Sequence, residues 1–410
     1  MSTAPVPHPT AEHEALHRQA DAVARDEIAP FVQRMENSPE RVERDVSPVF
    51  GERRWFGVTI PRAYGGMGAG HVAKTILIHR IAAVSGAAAA VLQAGLIPVA
   101  ALLHFATEEQ KKQWLPPAAR GRVLFSIAVT EPETGGHIGG IETVAVRDGD
   151  DWVITGSKVH VGNSHLAHVH IVIARTAPPG TRTSQALTAF LVEHDRPGLV
   201  VRPHRPALGL HGFSFGRLDL DRVRVPAANM LGRIDAGMRV AQSSSILYGR
   251  PNLAAVSLGL HEAIVETTTQ FLRERRRYDG TLYDLPVLRD RLGGMQARLR
   301  AARTLAYQAV HLLDQGLPCD AELINSKYLG HQWAVASGQD AMELHGAHAL
   351  ATDYPLQRLW RDIQCTYAPA GTGEVQRIRL ADDALQTGTP QWSQLFTADS
   401  GEPQLDHSAV

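Results

Sequence analysis

The feature that most limits the folds open to this chain is a change of hydrophobic period, made twice. Up to about residue 122 the apolar residues follow a helical spacing, as in Leu16, Ala20, Val23, Ile28 and Val32. Thr107-Glu108-Glu109-Gln110 reads as the capped start of another helix, ending at Trp114-Leu115-Pro116. From Val123 the texture becomes short and β-rich: 123–129, 152–155, 169–174, 189–192 and 198–201, with turn residues such as Asp148-Gly149-Asp150 between them. A closing segment at 218–225 precedes Pro226 and Asn229. From Gly237 the helical period returns, with Leu253, Val256, Leu260, Ile264 and Phe271 on one face and Leu288, Leu292, Met295 and Leu299 on another. The expectation is an α+β chain. A helical domain spans 13–122, a β-barrel or sandwich 123–232, and a four-helix bundle 233–385, between an arm (1–12) and a tail (386–410).

Composition narrows the function classes. A formal charge of −1 supplies no basic field for nucleic acid or a membrane surface. Two cysteines, Cys319 and Cys365, make neither a disulfide framework nor a four-thiolate metal site, which suits a reducing cytoplasm. The first residues lack the basic start and apolar core of a signal peptide. The run 81–105 has no Asp, Glu, Lys or Arg, yet small residues dilute it and Pro98 interrupts it. Two buried helices meeting near Pro98 are expected there, not a membrane span. His160, His165, His168 and His170 cluster in sequence without an acidic or Cys partner at ligand spacing, so no metal site is expected.

Near the C-terminus, Tyr354-Pro355, Arg361-Asp362 and Pro369-Ala370-Gly371-Thr372-Gly373-Glu374-Val375-Gln376-Arg377 lead across a Pro/Gly break into a new helical pattern. A Gly-Thr pair opening a helix offers free N–H groups and a hydroxyl to an anion or a ring carbonyl. Together with the order of the three domains, this stretch resembles the signature of the acyl-CoA dehydrogenases, over roughly residues 13–385. The resemblance implies FAD. It places Val129, Thr130, Gly135 and Gly136 at the flavin ring and pyrophosphate. His160 stands where the family has a stacking Trp, and Gly162 where it has a Thr near flavin N5; a Gly there is expected to open space. Arg275, Tyr278, Glu343, Gly346 and Ala347 would meet the cofactor of a neighbouring subunit, and Thr372 and Glu374 its adenine side. Shared cofactor groups imply a homodimer or homotetramer.

The family's catalytic Glu, the base that takes the α-proton of an acyl thioester, falls on Ala370. The alternative base position found in some members falls on Gly249. The expected substrate pocket is Leu247, Tyr248, Gly249, Arg250, Ala370 and Gly371, with His160, Tyr248 and Arg250 as candidate catalytic groups. Four readings follow. One is a dehydrogenase of acyl-CoA or acyl-carrier-protein thioesters with a relocated base. Another is a flavin enzyme of specialised metabolism that oxidises a β-keto acid by decarboxylation, with O2 as acceptor or oxygen donor, like the epoxyketone-forming enzymes. The others are a flavin hydroxylase and a non-catalytic FAD-binding relative.

Overall fold

The structure, a computed structural model, describes residues 9–178, 180–387 and 391–395. Its first helix begins at Ala11, because the Thr10 hydroxyl accepts from the His13 N–H at 3.2 Å and the His13 ring answers the Thr10 N–H. The expected arm is therefore too long by two residues; residues 1–8 lie outside the described part. The helix Ala11–Val23 passes through a π segment, Ala24–Ile28, into Ala29–Asn37.

Two helix boundaries differ from expectation. The apolar run is broken at Ser85, whose hydroxyl caps the helix Gly86–Phe105 by accepting from Ala88 N–H at 3.2 Å, while Pro98 sits inside that helix. Pro98 removes one donor, but the helix is buried along most of its length, and amides of Asn163 and Asn252 bind the Val91 and Gln93 carbonyls further toward its N-terminus. Gly86–Phe105 is long and apolar enough to cross a membrane by length and composition, and 89% of its most apolar window is buried within the protein. Similarly, Glu108–Ala119 runs on through Pro116 and Pro117; the carbonyls these prolines leave unpaired belong to the exposed Lys112 and Gln113.

The middle of the chain forms eight strands: β1 Phe125–Ala128, β2 Val144–Asp148, β3 Asp151–Gly162, β4 Val169–Arg175, β5 Leu187–Glu193, β6 Leu199–Val201, β7 Phe215–Pro226 and β8 Met230–Leu231. They make one curled sheet in the order β6-β7-β3-β2-β4-β5-β8, with β1 parallel to β4. β4 and β5 read as continuous apolar runs because both of their faces are covered.

The helices Arg250–Glu274, Pro286–Asp314 and Asp320–His345 pack on one another, and Gly70–Ala82 lies against the first. One apolar cluster joins Ile76 and Leu77 to Val256, Leu260 and Tyr307; a second seats Ile171 and Leu191 on Leu102 and Val240. Each such fully buried Leu or Ile stabilises the fold by about 1.5–3 kcal/mol. The two clusters hold the sheet against the helices, and a large cavity opens beside Ile246 of the first and Ala241 of the second.

Candidate functional site

That cavity encloses about 1460 Å3 between the ends of β1 and β3 on one side and the C-terminal helices on the other. Its sheet-side wall is set by the ends of β1 and β3 and by Phe215 of β7. Opposite β7 the register steps from Lys158–Leu218 to Val161–Gly216, so Val159 and His160 form a bulge. Val159 N–H turns away to the Thr130 carbonyl at 2.8 Å. His160 takes a left-handed φ of 56° and stacks its ring on Phe215 at 5.1 Å, at the cavity edge.

Behind this wall Glu131 gathers the loop. It accepts from Glu142 N–H at 2.7 Å, Thr143 N–H at 2.9 Å and Lys158 Nζ at 2.7 Å, and Lys158 also reaches the Val129 carbonyl. Burial alone would raise the Glu131 carboxyl, but the Lys158 charge and these donors hold it below the ordinary carboxylate range. Burial draws the Lys158 ammonium down to about 8 against the pull of Glu131. The result is a cavity rim of Val129, Thr130, Gly135 and Gly136 on a fully bonded support. A Cβ on Gly135 would meet nothing within 4 Å.

The helical wall begins with a π turn, Ser245–Gly249, whose extra residue divides two faces. Tyr248 faces away from the cavity: its hydroxyl donates to Thr59 Oγ1 at 3.0 Å, and its ring carries Lys74 Nζ at 4.1 Å. Leu247 is also buried off the cavity lining. The expected roles of Tyr248 as a catalytic group and of both residues as pocket lining are thus corrected. Gly249 and Arg250 do line the cavity, as do Ala370, Gly371 and Thr372. A Cβ on Gly249 would lie 3.0 Å from the Ala370 Cβ, so the two positions face each other directly. Ala370 itself has a φ of 57°, and Gly371 one of 96°. This turn is fixed by Gln376 Nε2, which donates to both carbonyls at 2.9 and 3.1 Å, and by Lys327 Nζ, which donates to the carbonyls of Gly371 and Tyr367. The acids among the described lining residues are Asp235, Asp320, Asp382 and Asp383, with no glutamate.

Sequence profiles of the acyl-CoA dehydrogenase N-terminal, middle and C-terminal domains match residues 10–122, 126–223 and 235–385. The chain belongs to the acyl-CoA dehydrogenase family. An acyl-CoA dehydrogenase of Bacillus subtilis (strain 168) is 32% identical over 378 residues, covering 91% of this chain and 98% of that protein. Two solved structures, each 25% identical with a TM-score of 0.86, are also similar. The acyl-CoA dehydrogenase from Bacillus anthracis complexed with FAD aligns over 93% of this chain and 68% of its own. The prolyl acyl carrier protein oxidase AnaB aligns over 92% and 99%. The chain is a flavin-dependent oxidoreductase whose cofactor is FAD. The cavity fits such a group, since its size exceeds that of common small-ligand pockets and bare backbone lines the rim at Gly135 and Gly136.

Other expected site residues lie elsewhere. Gly162 opens no space, because a Cβ there would be 3.2 Å from both Ala94 Cβ and Phe213 Cζ. Arg275, Tyr278, Glu343, Gly346, Ala347 and Glu374 lie outside the cavity lining. Arg275 leads into an exposed hairpin, where Tyr278 is 82% exposed; Glu343 pairs with Arg291 at 2.6 Å; and Glu374 accepts from Tyr367 Oη at 2.6 Å. Among the described residues no group of three or more His, Cys, Asp or Glu is placed to hold a metal. His165, His168 and His170 bond to Ser214, the Leu124 N–H and Ser126. Lys327 escaped notice in the sequence; its one signal is a cation at a buried position of a helix, beside Leu323, Ile324 and Ser326.

Proposed function

We propose that this enzyme oxidises an acyl substrate whose α-carbon gains its electron pair by loss of CO2 from a β-keto acid, with dioxygen as the final acceptor. The facing pair Gly249 and Ala370, neither carrying an acid, supports this reading most directly. A positioned base contributes about 10²–10⁴ in rate to a proton transfer, so a reaction that needs one would be slow here. In a β-keto acid the bond to the carboxylate breaks with both electrons left on the α-carbon, in conjugation with the ketone. CO2 departs and no proton has to be removed. When bound, FAD would supply a two-electron acceptor for hydride from the alkyl branch on the α-carbon, since the ketone carbon has none to give, and a relay of those electrons to dioxygen as hydrogen peroxide. The chain's own part is to seat the substrate between Ile97, Ile246 and Ala370, and to leave room at Gly249 for a branched α-carbon. The similarity to a prolyl acyl carrier protein oxidase supports a carrier-bound substrate, and the decarboxylative reading places the enzyme in specialised metabolism. In keeping with the family's pattern, Arg275, Tyr278, Glu343, Gly346 and Ala347 would act on the cofactor of a partner copy in a homodimer or homotetramer.

The test is anaerobic mixing of the FAD-loaded protein with 2-methyl-3-oxooctanoate, whose α-methyl group can give up the hydride once CO2 has left. Flavin bleaching with one CO2 released per flavin is the expected result. Bleaching by octanoyl-CoA with no response to the keto acid would overturn it and favour a second reading, an acyl-thioester dehydrogenase with His160 as base. That reading draws on the left-handed bulge that sets His160 at the cavity edge.

A further inference from the structure

Arg250 follows Gly249 on the helical wall, lines the cavity, and is only 5% exposed. Its Nε and Nη1 are buried without a hydrogen-bond partner. Burial lowers the guanidinium to about 10, Asp320 opposing and Arg379 assisting, so it stays charged at neutral pH. The nearest acid is already engaged: Asp320 accepts from Trp392 N–H at 2.8 Å and Ser393 N–H at 2.9 Å. Arg250 also lies close enough to Lys327 to help lower that ammonium, which burial draws down to about 7. Two buried cations therefore share the ground beneath Ala370 and Gly371, and among the described residues no acid is bonded to either.

A buried, unpaired guanidinium is among the most unfavourable groups a fold can keep, because it can neither shed its proton nor reach water. It is tolerated where an anion completes it. We infer that Arg250 is the residue that recognises a carboxylate on the substrate, and that the enzyme therefore selects carboxylate-bearing acyl compounds over neutral ones. The inference rests on the reading that substrate occupies this cavity beside Gly249 and Ala370. The contact belongs to the ground state: where the bound carboxylate leaves as CO2, the cation holds it back instead of driving it off. Arg250 thus lowers KM and does not raise kcat.

The probes are octanoate and octanamide, matched in shape and differing in charge, titrated against the FAD-loaded protein by flavin absorbance. A charge-assisted pair corresponds to about tenfold or more in affinity, so wild type should prefer octanoate by that factor. Arg250→Met should bring the ratio near one, and Arg250→Lys should keep part of it. With a turned-over keto acid, Arg250→Met should raise KM with kcat unchanged or higher. Without ligand, Arg250→Met should melt at a higher temperature than wild type, since a buried unpaired charge is gone; a structural role for the guanidinium would lower it. Equal affinities in wild type, a preference that survives in Arg250→Met, or silence from both probes would each overturn the inference. An octanoate preference without CO2 release from 2-methyl-3-oxooctanoate would leave Arg250 in this role and remove the decarboxylative reading.

Discussion

The two walls of the cavity treat buried charge in opposite ways. On the sheet side, Lys158 and Glu131 are both buried and every contact is reciprocated: ammonium to carboxylate, ammonium to carbonyl, carboxylate to two N–H groups. On the helical side, Arg250 is as deeply buried, and its Nε and Nη1 have no hydrogen-bond partner among the described residues. Paired charge acts as scaffolding, since it fixes a loop and asks for nothing further. Unpaired charge calls for a ligand. The contrast separates residues that hold the flavin-facing rim from residues that meet what is oxidised.

The strongest way to break this contrast is to restore an acid to the helical wall. Ala370→Glu keeps the same left-handed backbone and should raise the rate of flavin bleaching by simple acyl-CoAs by about 10²–10⁴, measured by stopped flow without oxygen. No gain would mean that the helical wall no longer seats a thioester against the cofactor. On the sheet side, Lys158→Met leaves Glu131 buried and uncompensated. It should cost about 3–5 kcal/mol in a denaturant titration and release FAD on gel filtration. Retention of both stability and FAD would show the pair to be dispensable.

A smaller effect sharpens the comparison from a third place. Lys74 is fully buried, rests on the Tyr248 ring across the π turn from Arg250, and is lowered to about 7 by burial, with Asp314 opposing. Unlike Arg250 it can lose its proton. Its folded-state value lies below the unfolded one near 10.5, so the unfolded chain binds more protons between about 7 and 10.5. This group's contribution to stability therefore falls as pH drops from 10.5 to 7. Lys74→Met should remove that slope and stabilise the protein at pH 7 by on the order of 1–4 kcal/mol. Parallel stability curves for the two proteins at pH 7 and pH 9.5 would refute it.

The layers of the fold could be read from the chain because helical and strand periods are local. Leu253, Val256 and Leu260 mark a helix face without reference to anything else, and the β-branched and aromatic run at 152–155 does the same for part of a strand. What needed tertiary partners was not legible. The break at Ser85 instead of Pro98 depends on how fully the longer helix is enclosed. The bulge at Val159 and His160 exists only against the register of β7. Residue type alone marked Gly162 as open space, whereas Phe213 fills it. At the site, the paired losses at Gly249 and Ala370 were visible as letters, but their direct opposition was not. Tyr248 and Arg250 stand two residues apart in sequence and were candidates alike. The π turn sends one into the core and the other into the cavity.

The short helix Trp392–Leu395 carries a practical message for anyone handling this protein. Gln391, Trp392 and Leu395 line the cavity, and Asp320 anchors the segment through two backbone amides. Trimming the chain ahead of Gln391 would strip part of the enclosure from the reaction chamber and release the Asp320 carboxylate beside Arg250. A shortened version would then carry its own competing counter-ion, and weak binding of acids by it would reflect the cut and not the enzyme.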